Sequence, residues 1–370
     1  MTRVQSFHED CIALLREQTE GKTVNRRRFL SVLAALGLSP ALLRLTPAHA
    51  QAKEIVVVNW GGDAVPAMTK AWAEPFNSKS GGIKAVVDGG GPSSAKIKAM
   101  VDSGKVTWDV VDRNLIAGLE LGRQNLLEKI DYALVDKGKL RPEHAGEWAV
   151  GSYIYANVLT YRTDAFGGRT PKTWADFWNL KDFPGKRTLR KHIDGQLEAA
   201  LQADGVPPDK LYPLDVKRAL DKIKSIKKDT FFWSTGAESQ QLFRDKEVTM
   251  GGLWNTRAMV AKREAQGAVD FTFNDGHAWV GAWLVPKGNP AGKEVFKFIA
   301  SAQDPNGQVE LFKALGNGPV NPAAGAMVPA ELKALDPGSQ ENYRKQVPAD
   351  AEWYAANSAK VLTQYLEAIA

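Results

Sequence analysis

The sequence predicts an open α/β fold built as two units, and three observations carry that reading. Residues 54–126 alternate apolar strand-like runs with helical stretches, the mark of a sheet layered with helices. A second series of the same kind starts near "GSYIYANVLTYR" (151–162). No Pro/Gly/Ser-rich linker separates the two, so the chain crosses between them on strands, as in proteins whose cleft closes about a hinge. At 370 residues the chain is also too long for one small core.

The elements follow in order. "EIVVVNW" (54–60) is a continuous apolar run ending at glycines, the pattern of a buried parallel strand. Val65, Met68, Trp72 and Phe76 then fall at helical spacing until Gly81-Gly82 stops them. "IKAVVDGGG" reads as a second strand, "SAKIKAMVDSG" as a short helix, "TWDVVDRN" as a third strand and "LIAGLELGRQNLL" as another helix. In the second unit "TWADFWNL" reads as a helix and "KRTLRKHID" runs into "GQLEAALQADG". "PLDVKRALDKIKSIKKD" carries a helical stripe of Val216, Leu220, Ile223 and Ile226. "VTMGGLWN" and "VDFTFNDG" read as separate strands, and "AWVGAWLVPKG" as one returning to the first unit. The tail from about 328 is helical, with Trp353, Tyr354, Leu362 and Tyr365 facing inwards.

Residues 1–50 differ from the rest. Arginines, an apolar run of about fifteen residues and a small-x-small site at Ala48-His49-Ala50 make up a secretory signal. Arg26, Arg27, Arg28, Phe29 and Leu30 resemble its twin-arginine variant. Gly37 and Pro40 interrupt the run and argue against a membrane anchor. Without these residues the chain holds 41 Lys/Arg against 38 Asp/Glu, a net of +3, far from the basic bias of a nucleic-acid binder. Cys11 is the only cysteine and lies in this segment, so the mature chain has no disulfide and no thiolate chemistry.

Catalytic patterns are missing. The mature chain keeps His144, His192 and His277, with no metal-ligand spacing between them. There is no G-x-S-x-G elbow and no P-loop. An enzyme is not expected, nor a cofactor.

Binding chemistry collects at predicted strand ends, where open α/β sheets hold ligands. Trp72, Trp174, Trp178 and Trp353 sit on helices and are read as core, whereas Trp60, Trp254 and Trp279 flank glycine-rich turns. Three such rings suit a lined pocket for an apolar or cationic solute, with plain packing as the alternative for each. Asp112 and Asn114 share a strand face, Arg113 pointing away, and Asp112 is suited to an ammonium group or to a turn. In "GGLWNTR" (251–257), glycines allow close approach, Trp254 offers a flat wall, and Asn255 and Arg257 supply directional hydrogen bonds. The Arg257 fork suits a carboxylate, or else an exposed salt bridge.

Several linked stretches carry a family resemblance: "VNWGG", "KIKAMVDSGKVTWDVV", "TWADFWNLKDFPGKRTLRK", "EVTMGGLWNTRAMVAK" and "GPVNPAA". In order and spacing, over residues 53–325, they are similar to the periplasmic solute-binding proteins of ABC importers of the polyamine type. The resemblance implies the two-lobed periplasmic binding protein fold (type II), each lobe an open sheet flanked by helices. Lobe 1 would be residues 53–152 plus 279–317, lobe 2 residues 153–278 plus 318–370, after a 1–50 signal. It implies a monomer in the periplasm that captures a small amine such as putrescine or spermidine and delivers it to an inner-membrane ABC permease. Site residues implied or suggested are Trp60, Gly61, Asp63, Asp112, Asn114, Asp194, Trp254, Asn255, Arg257 and Trp279.

The sequence also departs from the polyamine pattern. Gly281 stands where a carboxylate is usual, Gly61-Gly62-Asp63 follows the first tryptophan, and "KHIDGQ" offers only Asp194 and Gln196. With Arg257, a 4-aminobutyrate-type solute fits equally, and an organic acid held by Arg257, Arg190 and the main-chain amides of the glycine turns is a second alternative. Ferric binders of this fold use neighbouring tyrosines; Tyr153 and Tyr155 share a face here, but no His/Asp cluster accompanies them.

Overall fold

The computed structural model describes residues 54–370, and the export segment read at 1–50 lies outside the described residues. Strand β1 (Glu54–Val58) turns into α1 (Ala64–Met68), a π-helical turn (Thr69–Ala73) and α2 (Glu74–Lys79). β2 (Lys84–Asp88), α3 (Ser94–Ser103), β3 (Val110–Asn114) and α4 (Leu115–Arg123) complete the first series. The long β4 (Ala149–Arg162) leads to α5 (Trp174–Trp178), β5 (Arg187–Arg190), α6 (Gln196–Ala203) and α7 (Val216–Lys224). β6 (Thr230–Trp233), α8 (Gly236–Arg244), β7 (Met250–Trp254) and α9 (Asn255–Glu264) follow. The equally long β8 (Val269–Leu284) returns the chain to α10 (Glu294–Ala302) and α11 (Pro305–Leu315). α12 (Pro322–Met327), α13 (Gln340–Tyr343), β9 (Val347–Pro348) and α14 (Ala351–Ile369) close it.

Among the described residues the strands run in the order β2-β1-β3-β8-β4-β7-β5-β6, with β9 beside β8. β1, β2 and β3 pair in parallel at one end, and β5, β6 and β7 at the other. Two antiparallel strands, β4 and β8, join them: β8 pairs β3 at residues 281–284, and β4 pairs β7 at residues 157–161. This is the two-lobed α/β architecture, with the crossing made by strands. The crossing ladder is irregular between Gly151 and Tyr153 and again between Asn157 and Leu159. A third segment passes there, Ile154 exchanging both backbone hydrogen bonds with Gly318 at 2.7 and 2.8 Å.

Each lobe buries its own core, and each large apolar side chain so buried is worth about 1.5–3 kcal/mol. In the first lobe Trp72 meets Trp283 edge-on at 4.9 Å, and Phe298 backs them at 5.9 Å from Trp283. In the second, Trp174, Phe177, Leu189, Tyr354 and Tyr365 are buried together. Trp72 and Trp174 are thus core, whereas Trp178 and Trp353 are half-buried at its margin.

Two differences from the sequence reading are physical. "VDFTFNDG" and "AWVGAWL" form one strand, β8, because the break at Phe273–Gly276 is a bulge opposite β4 that leaves the strand continuous. β6 and α8 went unread because the four residues of β6 are too few to show a period and the nine of α8 bury Gly236, Ser239, Gln240 and Phe243, a face with no apolar stripe. Their one legible mark is the capping box of Thr235 and Glu238, which opens α8.

Candidate functional site

The ends of β1, β3, β5 and β7 converge on a cleft of about 580 Å³, counting its open side. Trp60, Asp112, Arg113 and Asn114 line it from the first lobe, Tyr153 and Tyr155 from the crossing strand, and Arg190, Asp194, Trp254 and Arg257 from the second. Six residues singled out from the sequence therefore meet: Trp60, Asp112, Asn114, Asp194, Trp254 and Arg257.

Asp112 is fully buried near the end of β3, opposite Trp283 on β8. Its Oδ1 accepts a 2.7 Å hydrogen bond from the Tyr153 hydroxyl, and its Oδ2 has no partner. Burial pushes this carboxyl up to about 8, against the downward pull of the Tyr153 bond and the Arg113 guanidinium. Asn114 ends β3 and caps α4, its Oδ1 accepting from the Ala117 amide at 2.8 Å.

Asp194 has the opposite surroundings. It lies 2.9 Å from Arg190 Nη1 and 3.1 Å from His192 Nδ1. Burial alone would raise its carboxyl, but His192, Arg190 and Arg113 together hold it well below the usual range. Its charge is already matched within the protein.

Arg257 sits in the first turn of α9, buried, and reaches across to the other lobe. Its Nη2 donates to the Gly61 carbonyl and its Nη1 to Gln240 Oε1, both at 3.3 Å. Gln240 Nε2 in turn donates to Asp63 Oδ2 at 3.2 Å. Gly236 opens α8 at the one place where a Cβ would lie 2.3 Å from Arg257 Nε. Burial lowers the Arg257 pKa, with Asp63 opposing, and an arginine stays charged even so.

Four suggested residues lie off the cleft lining. Asn255 is fully buried and structural: it donates to the Gly316 carbonyl at 2.8 Å and accepts from the Ala156 amide at 2.9 Å. Trp279 is packed in the second-lobe core, stacked on Tyr155 at 6.4 Å and edge-on to Tyr354 at 5.0 Å, so it backs the wall instead of facing the cleft. Gly61 adopts φ +73°, where a Cβ would lie 2.8 Å from the Gly89 carbonyl oxygen, and it contributes its own carbonyl to Arg257. Asp63 is half-exposed and joins the Arg257–Gln240 contact. Gly251 and Gly252 also serve packing: a Cβ on Gly251 would lie 2.5 Å from Leu253 and 2.7 Å from Thr188.

Arg113 corrects the strand-face argument. It lines the cleft beside Asp112 and Asn114, its Nη2 on Ser94 Oγ at 3.1 Å. The ladder with β8 runs regularly through Arg113–Ala282 and Asn114–Gly281, so position on the strand alone does not tell that the Arg113 side chain enters the lining. Among the described residues no helix is long and apolar enough to cross a membrane, and no cluster of His, Cys, Asp or Glu could hold a metal ion.

Known proteins resemble this chain in sequence and overall fold. The family of bacterial extracellular solute-binding proteins matches residues 71–336. The gamma-aminobutyric acid-binding protein of Pseudomonas aeruginosa is 34% identical over 322 residues, 83% of this chain and 88% of that protein. The solved Atu4243 GABA receptor is 36% identical with a TM-score of 0.78, covering 86% of this chain and 98% of that one. Spermidine/putrescine-binding periplasmic protein 1 of Haemophilus influenzae is more distant, 23% identical over 198 residues, 50% of this chain and 54% of that protein. The polyamine side of the resemblance thus rests on a distant relative, while the broader family stands. This chain belongs to the bacterial extracellular solute-binding proteins, substrate-binding components of ABC transporters that capture a small molecule for a membrane permease and catalyse no reaction.

Proposed function

We propose that the chain captures a small amino-acid-like solute of the 4-aminobutyrate type in the periplasm, carrying an amine at one end and a carboxylate at the other. One observation carries this reading: three guanidinium groups, Arg113, Arg190 and Arg257, line the same cleft, and Asp112 is its only acid without a cationic partner within hydrogen-bond reach. A polycation would meet net repulsion there. An ω-amino acid meets complementary charge at both ends, its carboxylate on the guanidinium side and its ammonium at Asp112. The relatives named for gamma-aminobutyrate support the same class. Lobe boundaries at 152/153, 278/279 and 317/318 belong to this proposal, since only closure about them brings both walls onto the solute.

Titration calorimetry tests the assignment. 4-Aminobutyrate should bind tightest, butyrate at least about tenfold weaker for want of the ammonium, and putrescine without saturable heat. Putrescine binding as tightly as 4-aminobutyrate would overturn the reading, and so would silence with all three.

A further inference from the structure

The indoles of Trp60, Trp233 and Trp254 are arranged as an aromatic box. Trp60 meets Trp254 at 5.6 Å and 61°, and Trp233 meets Trp254 at 5.1 Å and 83°. Boxes of this kind are receptors for ligand cations, through the negative faces of the rings. This one already contains a cation. Arg190 Cζ lies 4.6 Å from the Trp254 centroid, 5.7 Å from Trp60 and 5.8 Å from Trp233.

Arg190 is also held in place from several sides. It is 7% exposed. Its Nη1 lies 2.9 Å from Asp194 Oδ2, its backbone carbonyl accepts from the Tyr365 hydroxyl at 2.6 Å, and its amide donates to Gln196 Oε1 at 3.3 Å. The box spans both lobes, Trp60 from the first and Trp233 and Trp254 from the second, so the guanidinium fills it while the two walls are together.

We propose that Arg190 is a specificity-determining residue: as a built-in cation it occupies the aromatic box and excludes amines that lack an acid group. Replacing it with a neutral chain of similar length then makes the cleft an amine receptor. Three changes act together in that replacement. The ring faces become free, Asp194 loses its nearest cation, and the lining guanidiniums fall from three to Arg113 and Arg257. An incoming ammonium gains ring contacts and a carboxylate in one step. The other charged or titratable groups at the box are Arg113, 5.5 Å from the Trp60 ring, and His192 on Asp194, whose pKa burial lowers against the upward pull of Asp194. The proposal deepens the amino-acid reading, since it explains why an amine alone is refused.

The test titrates wild type, Arg190→Met and Arg190→Lys with putrescine and with 4-aminobutyrate, thermal unfolding and near-ultraviolet circular dichroism confirming the fold. Wild type should give no saturable heat with putrescine. Arg190→Met should bind putrescine at least about tenfold more tightly than wild type does and lose at least about tenfold in affinity for 4-aminobutyrate. Arg190→Lys keeps a cation at the box and should still refuse putrescine. Should the Met variant fail to fold, Arg190→Gln replaces it with the same expectation. Putrescine binding by wild type within about tenfold of the neutral variants overturns the proposal, as does an equal gain in the Lys variant. Wild type that ignores 4-aminobutyrate while a neutral variant still gains putrescine would sink the ligand assignment and leave the role of Arg190 standing.

Discussion

The two walls of the cleft each present one aspartate, and they solve the problem of burying it in opposite ways. On the second lobe Asp194 keeps its charge because Arg190 and His192 lie within hydrogen-bond distance. On the first lobe Asp112 has a tyrosine hydroxyl on one oxygen and nothing on the other, and burial pushes its proton affinity up. One acid is satisfied by the protein; the other awaits a partner. Identical side chains in one cleft thus meet different surroundings: Asp194 is tied into the wall by Arg190 and His192, while Asp112 keeps one oxygen without a partner.

The largest effect should come from unbalancing the satisfied side. The side chains of Arg190 and Asp194 are only 8% and 15% exposed. Asp194→Ala would strand the guanidinium among indoles, and breaking such a pair by removing one partner costs about 3 kcal/mol, the low end of the range because the cleft admits water. Urea unfolding of the unliganded protein measures this directly. A loss below about 1 kcal/mol would place the pair among exposed ones and remove the contrast between the walls.

Asp112 should reveal itself through pH. Its carboxyl is raised from an ordinary 3.8 to about 8, so the folded chain keeps a proton that the unfolded chain gives up. Unliganded stability therefore falls as pH rises between those two values. Glu198, raised to about 7 by burial despite its bonds from Tyr212 and Tyr354, adds a slope of the same sign. Comparing wild type with Asp112→Asn cancels Glu198 and isolates Asp112. Asp194, held low, acts the other way: its contribution is present above the ordinary carboxylate pKa and is lost only in acid. For the ligand the sign reverses. An ammonium needs the ionised carboxylate, so affinity for 4-aminobutyrate should climb by up to about tenfold per pH unit below about 8 and then level off. Asp112→Asn should be weaker and flat over the same range. A wild-type affinity that ignores pH between 6 and 8 would remove Asp112 from the ammonium end.

How much of this was legible in the sequence depends on which physical signal was needed. Strand ends could be read, and strand ends are where the cleft lies, so Trp60, Asp112, Asn114, Trp254 and Arg257 were picked out by position, four of them also by the family resemblance, and all five line it. Which of two adjacent side chains faces inwards could not be read, because a neighbouring element settles it. Asn255 sits between Trp254 and Arg257 yet turns to Ala156 and Gly316, since the crossing strand and the turn after α11 leave amide and carbonyl groups there. Trp279 follows a glycine-rich turn as Trp60 precedes one, but Tyr155 stands between it and the cleft. Arg113 lines the cleft together with both its neighbours, which alternation along a regular ladder does not foretell. Trp233 lies on a strand too short to carry a period, Gly236 and Gln240 on a helix whose buried face is mostly small or polar, and they complete the aromatic box and the support of Arg257.

The smallest effect is expected where the lobes meet outside the cleft. Arg123 at the end of α4 places Nη2 3.0 Å from both carboxylate oxygens of Glu352 on α14. The geometry resembles the Arg190–Asp194 pair, but these side chains are 50% and 71% exposed. Water screens them in either arrangement of the lobes, so the pair contributes about 0–1 kcal/mol, and salt reduces even that. Arg123→Ala should leave unfolding nearly unchanged and alter affinity by less than about twofold, with no difference left at high salt. A tenfold loss of affinity would mean that closure is held from outside as well as by the solute. The contrast would then lie between an outer latch and an inner clamp, with two unlike walls no longer sufficient to account for capture, because a contact that favours the closed form raises affinity without touching the ligand.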